Sequence, residues 1–162
     1  MMSPMGVADR EPFAQPSPTF EDFYRAQLQP MLRLAYLMTQ SRAAAEDLVQ
    51  DSVIRLQPRW GALDNPAAYL RRTVANACYS WHRRRQREAA FTVVPPDPAE
   101  AEHDEMWDAL AQLPPRRRAA LVLRYYQDLS ESEIADILGC RPGTVKSLTH
   151  RGLAQLRSVL EG

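Results

Sequence analysis

The segment PGTVKSLTHRGL, residues 142–153, places Thr144, Lys146, Ser147, His150 and Arg151 within a single helix-length stretch. Ammonium and guanidinium groups donate to phosphate oxygens or to the O6 and N7 edge of guanine, and a hydroxyl serves either kind of acceptor. On one helix such groups suit a major groove, where side chains near the amino-terminal half reach base edges. Upstream, Arg116, Arg117 and Arg118 fall at the start of another predicted helix. Cations there oppose the positive end of the helix dipole, so the three arginines invite an outside anion such as a phosphate. A tri-helical packing module with a solvated basic face would use the same residues.

The elements that must hold these groups have their own signals. In LSESEIADILG, residues 129–139, Ser130 caps a helix, Glu133 completes a reciprocal capping box and Leu129 can staple onto Ile134. Gly139 suits the left-handed turn that ends this helix, and Pro142 opens the next one where its missing N–H is not needed. Helix, tight turn and helix are the proportions of a helix-turn-helix. Val145, Leu148, Leu153 and Leu156 are expected to pack on Ile134, Ala135 and Leu138. Tyr125 and Tyr126 are expected to supply core packing and one surface contact.

A separate helical region begins at Phe20, where Phe23, Leu28, Met31, Leu32, Ala35, Tyr36 and Met38 recur at spacings near three and four. Ser41 caps a second helix over about 43–57, ended before Pro58. Asn65 and Pro66 open a long third helix whose inward stripe is expected to be Leu70, Val74, Ala77 and Trp81. On the second helix, Asp47, Gln50 and Asp51 make an acidic-polar face suited to an arginine-rich partner, and Leu48, Val49, Val53 and Leu56 are expected in the core, with Leu48 or Val49 shared with the interface. The stretch FTVVPPDPAEAEHDE breaks the helical spacing and marks a boundary. The expected organisation is all-α: a flexible tail over 1–18, a helical domain over 19–90, a flexible linker over 91–104 and a helix-turn-helix domain over 105–162.

Composition narrows the function classes. The 162 residues carry a formal net charge of zero, against adhesion of the whole protein to polyanions. Yet eight arginines crowd Arg55 to Glu88, and Asp97, Glu100, Glu102, Asp104, Glu105 and Asp108 form a run without Lys or Arg, so separate surfaces have separate tasks. Two cysteines, Cys78 and Cys140, give no disulfide framework, and a reducing cytoplasm is the simplest home. Nothing reads as a signal peptide or membrane span, so no membrane insertion is expected. Cys78 and His82 lie one turn apart but read as a buried thiol and a surface histidine. No spacing among the cysteines and histidines fits a metal site or a nucleophile with its base, so neither metal, cofactor nor catalysis is expected.

AEDLVQDSVIRL, YLRRTVANACYSWHRR and LSESEIADILGCRPGTVKSLTHRGLAQLR, in that order around the acidic, proline-rich break, resemble the bacterial extracytoplasmic-function sigma factors, most closely the actinobacterial SigE-type branch. The resemblance covers about residues 20–160. It implies a non-catalytic subunit that directs core RNA polymerase to promoter DNA and assists promoter opening. Asp47, Leu48, Gln50 and Asp51 would then grip the polymerase clamp helices. Trp60 and Asn65, in the polar loop 60–65, would border a site for an extruded base, with Arg71, Arg72, Asn76, Arg83 and Arg84 along the minus-10 strand. Arg116, Thr144, Lys146, Ser147, His150 and Arg151 would face the minus-35 element. An anti-sigma protein is the regulatory partner such a chain implies. Leu148 stands where many relatives carry a basic residue, so target preference does not transfer from them. The alternative is a conventional helix-turn-helix regulator without stable polymerase binding, which would have to dimerise to read paired half-sites.

Overall fold

The computed structural model describes residues 16–88 and 105–162, with no strand among them. The expected linker and residues 1–15 of the expected tail lie outside that set. The first half holds α1 (Phe20–Thr39), α2 (Arg42–Leu56), a 3-10 turn (Gln57–Ala62) and α3 (Pro66–Glu88). The second holds α4 (Glu105–Ala111), α5 (Pro115–Leu121), a π turn (Val122–Tyr126), α6 (Glu131–Leu138) and α7 (Pro142–Glu161). The all-α reading, two helical halves with a helix-turn-helix in the second, is the observed fold.

The helix ends follow local chemistry. Ser41 accepts the Ala44 N–H at 3.2 Å and so caps α2, while Asn65 Oδ1 accepts the Ala68 N–H at 3.1 Å at the start of α3. Ser130 and Glu133 form the reciprocal box at α6, with contacts of 2.8 and 3.1 Å. Gly139 ends α6 at φ +63°, a conformation glycine adopts without penalty. A second capping box at α1, between Thr19 and Asp22, has no counterpart in the sequence reading. Pro58 ends α2 as expected, but the chain continues as the 3-10 turn, so the stretch read as a loop over 60–65 begins inside helical structure.

Packing joins the two halves. Leu34, Met38, Val49, Leu56, Leu70 and Val74 belong to the same buried cluster as Leu123, Ile134, Leu138 and Val145. Across the junction Tyr36 stacks on Trp107, ring centroids 3.9 Å apart and planes 20° off parallel. Because α3 meets α6 as well as α1 and α2, its buried arc differs from the stripe expected. Leu70, Val74, Ala75, Cys78 and His82 point inward, and Ala77 and Trp81 are only half-buried. Trp81 lies on the flank with the Arg85 guanidinium 4.7 Å from its ring centre.

Three other expectations change. Tyr125 and Tyr126 are 58% and 39% exposed, turned outward by the π turn that ends this helical segment. Leu153 is 36% exposed, since the inward face of α7 there belongs to its neighbour Gly152. A Cβ at Gly152 would lie 3.0 Å from Leu121 Cγ, so α7 crosses α5 at a distance suited to glycine. The trio at α5 also divides: Arg116 is exposed, Arg117 donates to Gln155 Oε1 at 2.8 Å, and Arg118 is buried at 5% exposure, out of reach of an external anion.

Candidate nucleic-acid interface

On α7, Lys146, Ser147, His150 and Arg151 are all exposed and Thr144 is half-buried. Val145, fully buried against α6, sets this orientation, and the helical repeat sends the polar set to the opposite side. Ser147 Oγ donates to Gly143 O at 3.3 Å, leaving its oxygen lone pairs outward. Leu148 is half-buried on the core edge. Arg116 is exposed in the first turn of α5, on a different element from the other members of its set.

On α3, Arg72, Asn76 and Arg83 are exposed and recur at spacings of four and seven, which makes one row; Arg84 is exposed beside it and Arg71 is half-buried. Asn65 spends its side-chain oxygen on the α3 cap. Trp60 is half-buried among aromatic rings, 5.6 Å from Phe20 and 4.6 Å from Phe23, and ties the 3-10 turn to α1. On α2, Asp47, Gln50 and Asp51 are exposed and Leu48 is half-buried, with Val49, Val53 and Leu56 inward. Ile54, 63% exposed, continues the same row one turn on. That residue passed unremarked in the sequence, although the spacing 47, 50, 51, 54 carried the signal.

A polar node holds the halves together. His82 on α3 is buried, not a surface histidine, and its Nε2 lies 2.5 Å from Met38 O on α1. A carbonyl only accepts, so Nε2 carries the proton. The approach of Arg118 Nη2 to the same nitrogen at 3.3 Å is then a contact between donors. Arg118 Nε donates to Met38 O at 3.2 Å, and Nη1 faces Leu110 O and Leu113 O at 3.4 Å each. Burial foremost, with the positive charge of Arg118 and Arg85 adding to it, lowers the His82 pKa from 6.5 to about 4 despite the opposing Met38 hydrogen bond. Burial also lowers Arg118 to about 10, still cationic at neutral pH, and raises the Cys78 thiol to about 12, which leaves it unreactive.

The His82 shift has a sign. An unfolded chain takes up a proton near pH 6.5 that the folded chain refuses until about pH 4. Stability is therefore intact above that range and declines as pH falls through it, by up to roughly 3 kcal/mol. His82→Gln, which keeps a donor for Met38 O without titrating, should flatten the decline in denaturant unfolding series from pH 7 to 4. An equal decline in the variant would exclude His82 as its source.

No group of His, Cys, Asp and Glu among the described residues is arranged to hold a metal, and none of their helices is long and apolar enough to cross a membrane.

The fold defines an all-α protein with a helix-turn-helix in its second half, and the comparisons give the family. Residues 23–88 match the family "Sigma-70 region 2", and residues 103–156 match "Sigma-70, region 4". The chain is 35% identical over 152 residues to the RNA polymerase sigma-E factor of Streptomyces avermitilis, covering 88% of this chain and 85% of that one. It is 30% identical to the RNA polymerase sigma factor CarQ of Myxococcus xanthus, covering 87% and 88%. Among solved structures, the sigma factor RpoE of Bartonella quintana, in complex with the anti-sigma factor NepR, matches with a TM-score of 0.65 at 26% identity, covering 87% of this chain and 98% of that one. The chain belongs to the extracytoplasmic-function sigma factors and resembles the actinobacterial SigE-type branch. Its role is in transcription initiation, as a non-catalytic specificity subunit.

Proposed function

We propose that this chain binds core RNA polymerase through α2, reads the minus-35 element with α7 and engages the minus-10 strand along α3. The observation that carries this reading is the division of exposed polar rows: acidic on α2, basic with an asparagine on α3, and basic with hydroxyls on α7. Asp47, Leu48, Gln50 and Asp51, extended by Ile54, offer carboxylates beside apolar surface for a positively charged helix. Arg71, Arg72, Arg83 and Arg84 supply cations for phosphates, and Asn76 carries the donor and acceptor needed for a base edge. Trp60 and Asn65 stand at the entry to α3, the ring as an apolar wall beside the strand. Arg116, Thr144, Lys146, Ser147, His150 and Arg151 supply the minus-35 contacts.

Arg151→Ala tests the α7 assignment. Promoter binding by the polymerase complex should weaken without a comparable loss of polymerase binding. A base contact would make the loss depend on minus-35 sequence, up to ~1 to 3 kcal/mol for a bidentate pair. A phosphate contact would give a uniform loss and a shallower salt dependence. Binding indifferent both to Arg151→Ala and to minus-35 sequence would refute the assignment.

Regulation by an anti-sigma protein belongs to the same reading. Between α1 and the second half runs an open groove of about 1060 Å³, lined by Leu32, Tyr36, Leu110, Tyr125, Tyr126 and Leu153 among others. Its exposed rings and leucine suit the apolar face of a partner helix.

A further inference from the structure

α7 packs on α4, α5 and α6, and its inward side changes character along its length. Val145 is fully buried against α6, and Gly152 meets Leu121 of α5. One turn beyond Gly152 the inward position passes to an amide. Gln155, half-buried, accepts from Arg117 Nη1 of α5 through Oε1 at 2.8 Å and turns Nε2 toward Gln112 O, just past α4, at 3.5 Å. A guanidinium only donates and a carbonyl only accepts, so the two partners fix which end of the amide faces which. A carboxylate at position 155 would lack the donor, and an ammonium the acceptor.

Apolar contacts do not by themselves fix direction. Burial is non-directional, and a helix laid across its neighbour at a glycine can pivot about the crossing. A hydrogen bond from a charged, planar guanidinium is directional and stronger than a neutral one. Val145 and Gln155 lie roughly 15 Å apart along the α7 axis, with Lys146, Ser147, His150 and Arg151 between them. Held at both places, this outward set stands at one inclination to the rest of the second half. Base readout depends on such precision, because functional side chains must be held to roughly 0.5 Å and 10 to 20° of their productive geometry. Arg117 is half-buried and its guanidinium is engaged, which sets it apart from the exposed Arg116 beside it.

We infer, on the reading of α7 as the minus-35 helix, that Arg117 is a positioning residue for base readout. Through Gln155 it holds the carboxy-terminal part of α7 on the corner between α4 and α5. That hold fixes the angle at which Lys146, Ser147, His150 and Arg151 meet a major groove. Arg117 itself takes no phosphate.

The test uses core polymerase carrying the full chain, a duplex library randomised over both promoter elements, and sequencing of the bound DNA. In Arg117→Met the preference for the best over the worst base at minus-35 positions should fall several-fold, while preference at the minus-10 element keeps its wild-type value. Gln155→Met should give the same loss, and the double variant no further loss, because the two side chains act as one link. Gln155→Glu keeps an acceptor for Arg117 and should retain preference near wild type. Circular dichroism at the assay temperature identifies the folded variants, and either methionine variant alone suffices for the comparison. Binding of one selected duplex across a salt series separates positioning from a phosphate contact: positioning leaves the salt slope unchanged, whereas loss of a phosphate contact reduces it by about one. Wild-type minus-35 preference in a folded methionine variant, a reduced salt slope in Arg117→Met, or a loss in Gln155→Glu equal to that in Gln155→Met overturns the inference while the α7 reading stands. A wild-type complex without any minus-35 preference overturns the α7 reading, and the inference with it.

Discussion

Asp47→Arg combined with Asp51→Arg is expected to weaken association with core polymerase about a hundredfold or more, roughly 3 kcal/mol. Both carboxylates are exposed on the outer face of α2, while Val49, Val53 and Leu56 hold the opposite face in the core. Charge reversal therefore acts on the interface and spares the packing. Close charge pairs across an interface couple by ~1.5 to 7 kcal/mol, and reversal replaces attraction with repulsion. Equilibrium binding to purified core polymerase at fixed salt, with circular dichroism to follow folding, measures the effect. Unchanged affinity in a folded variant would reject α2 as the polymerase-facing helix.

The largest stability effect is expected at Arg118. Arg118→Ala removes the hydrogen bonds at Leu110 O and Leu113 O and one of the two at Met38 O, and it leaves a cavity where the side chain lay. Each buried acceptor left unpaired costs ~1 to 3 kcal/mol, and the cavity adds to that. Release of the desolvated cation offsets part of the loss, so a net destabilisation of about 3 to 5 kcal/mol is expected in urea unfolding. Arg118→Met restores volume without the hydrogen bonds and should fall between alanine and wild type. Wild-type stability in Arg118→Ala would mean that the node contributes nothing to holding the halves together.

Local signals carried most of the fold. Ser41, Asn65, Ser130, Glu133, Gly139 and Pro142 each act within a few residues of themselves, and all occupy the capping or turn positions their chemistry predicts. The helical repeat likewise carried the outward set on α7 from Lys146 to Arg151. The misreadings cluster where the second half meets the first. His82 and Arg118 look like surface residues in a basic stretch, and only docking of α5 beside α1 and α3 buries them. Charge patterning flagged the arginines of α3, but their neighbours Glu133 and Asp136 lie more than sixty positions away. Within the first half, the packing of Trp60 on Phe20 and Phe23 depends on how α1 returns past the 3-10 turn, which no local spacing shows.

On the proposed reading of α7 as the minus-35 helix, Gly152 gives recognition a fixed datum. Contact with Leu121 halfway along α7 sets both how near that helix lies to α5 and how far it is rolled about its own axis. The roll decides which residues form the exposed leading edge of α7. A larger side chain at position 152 would lift and turn Lys146, His150 and Arg151 together, shifting a whole alphabet of contacts by one rotation. Promoter preference can thus diverge through exchanges on the outer row while the frame in which that row is read stays constant. A change at position 152 would instead move the frame, altering every base contact at once without touching a single reader.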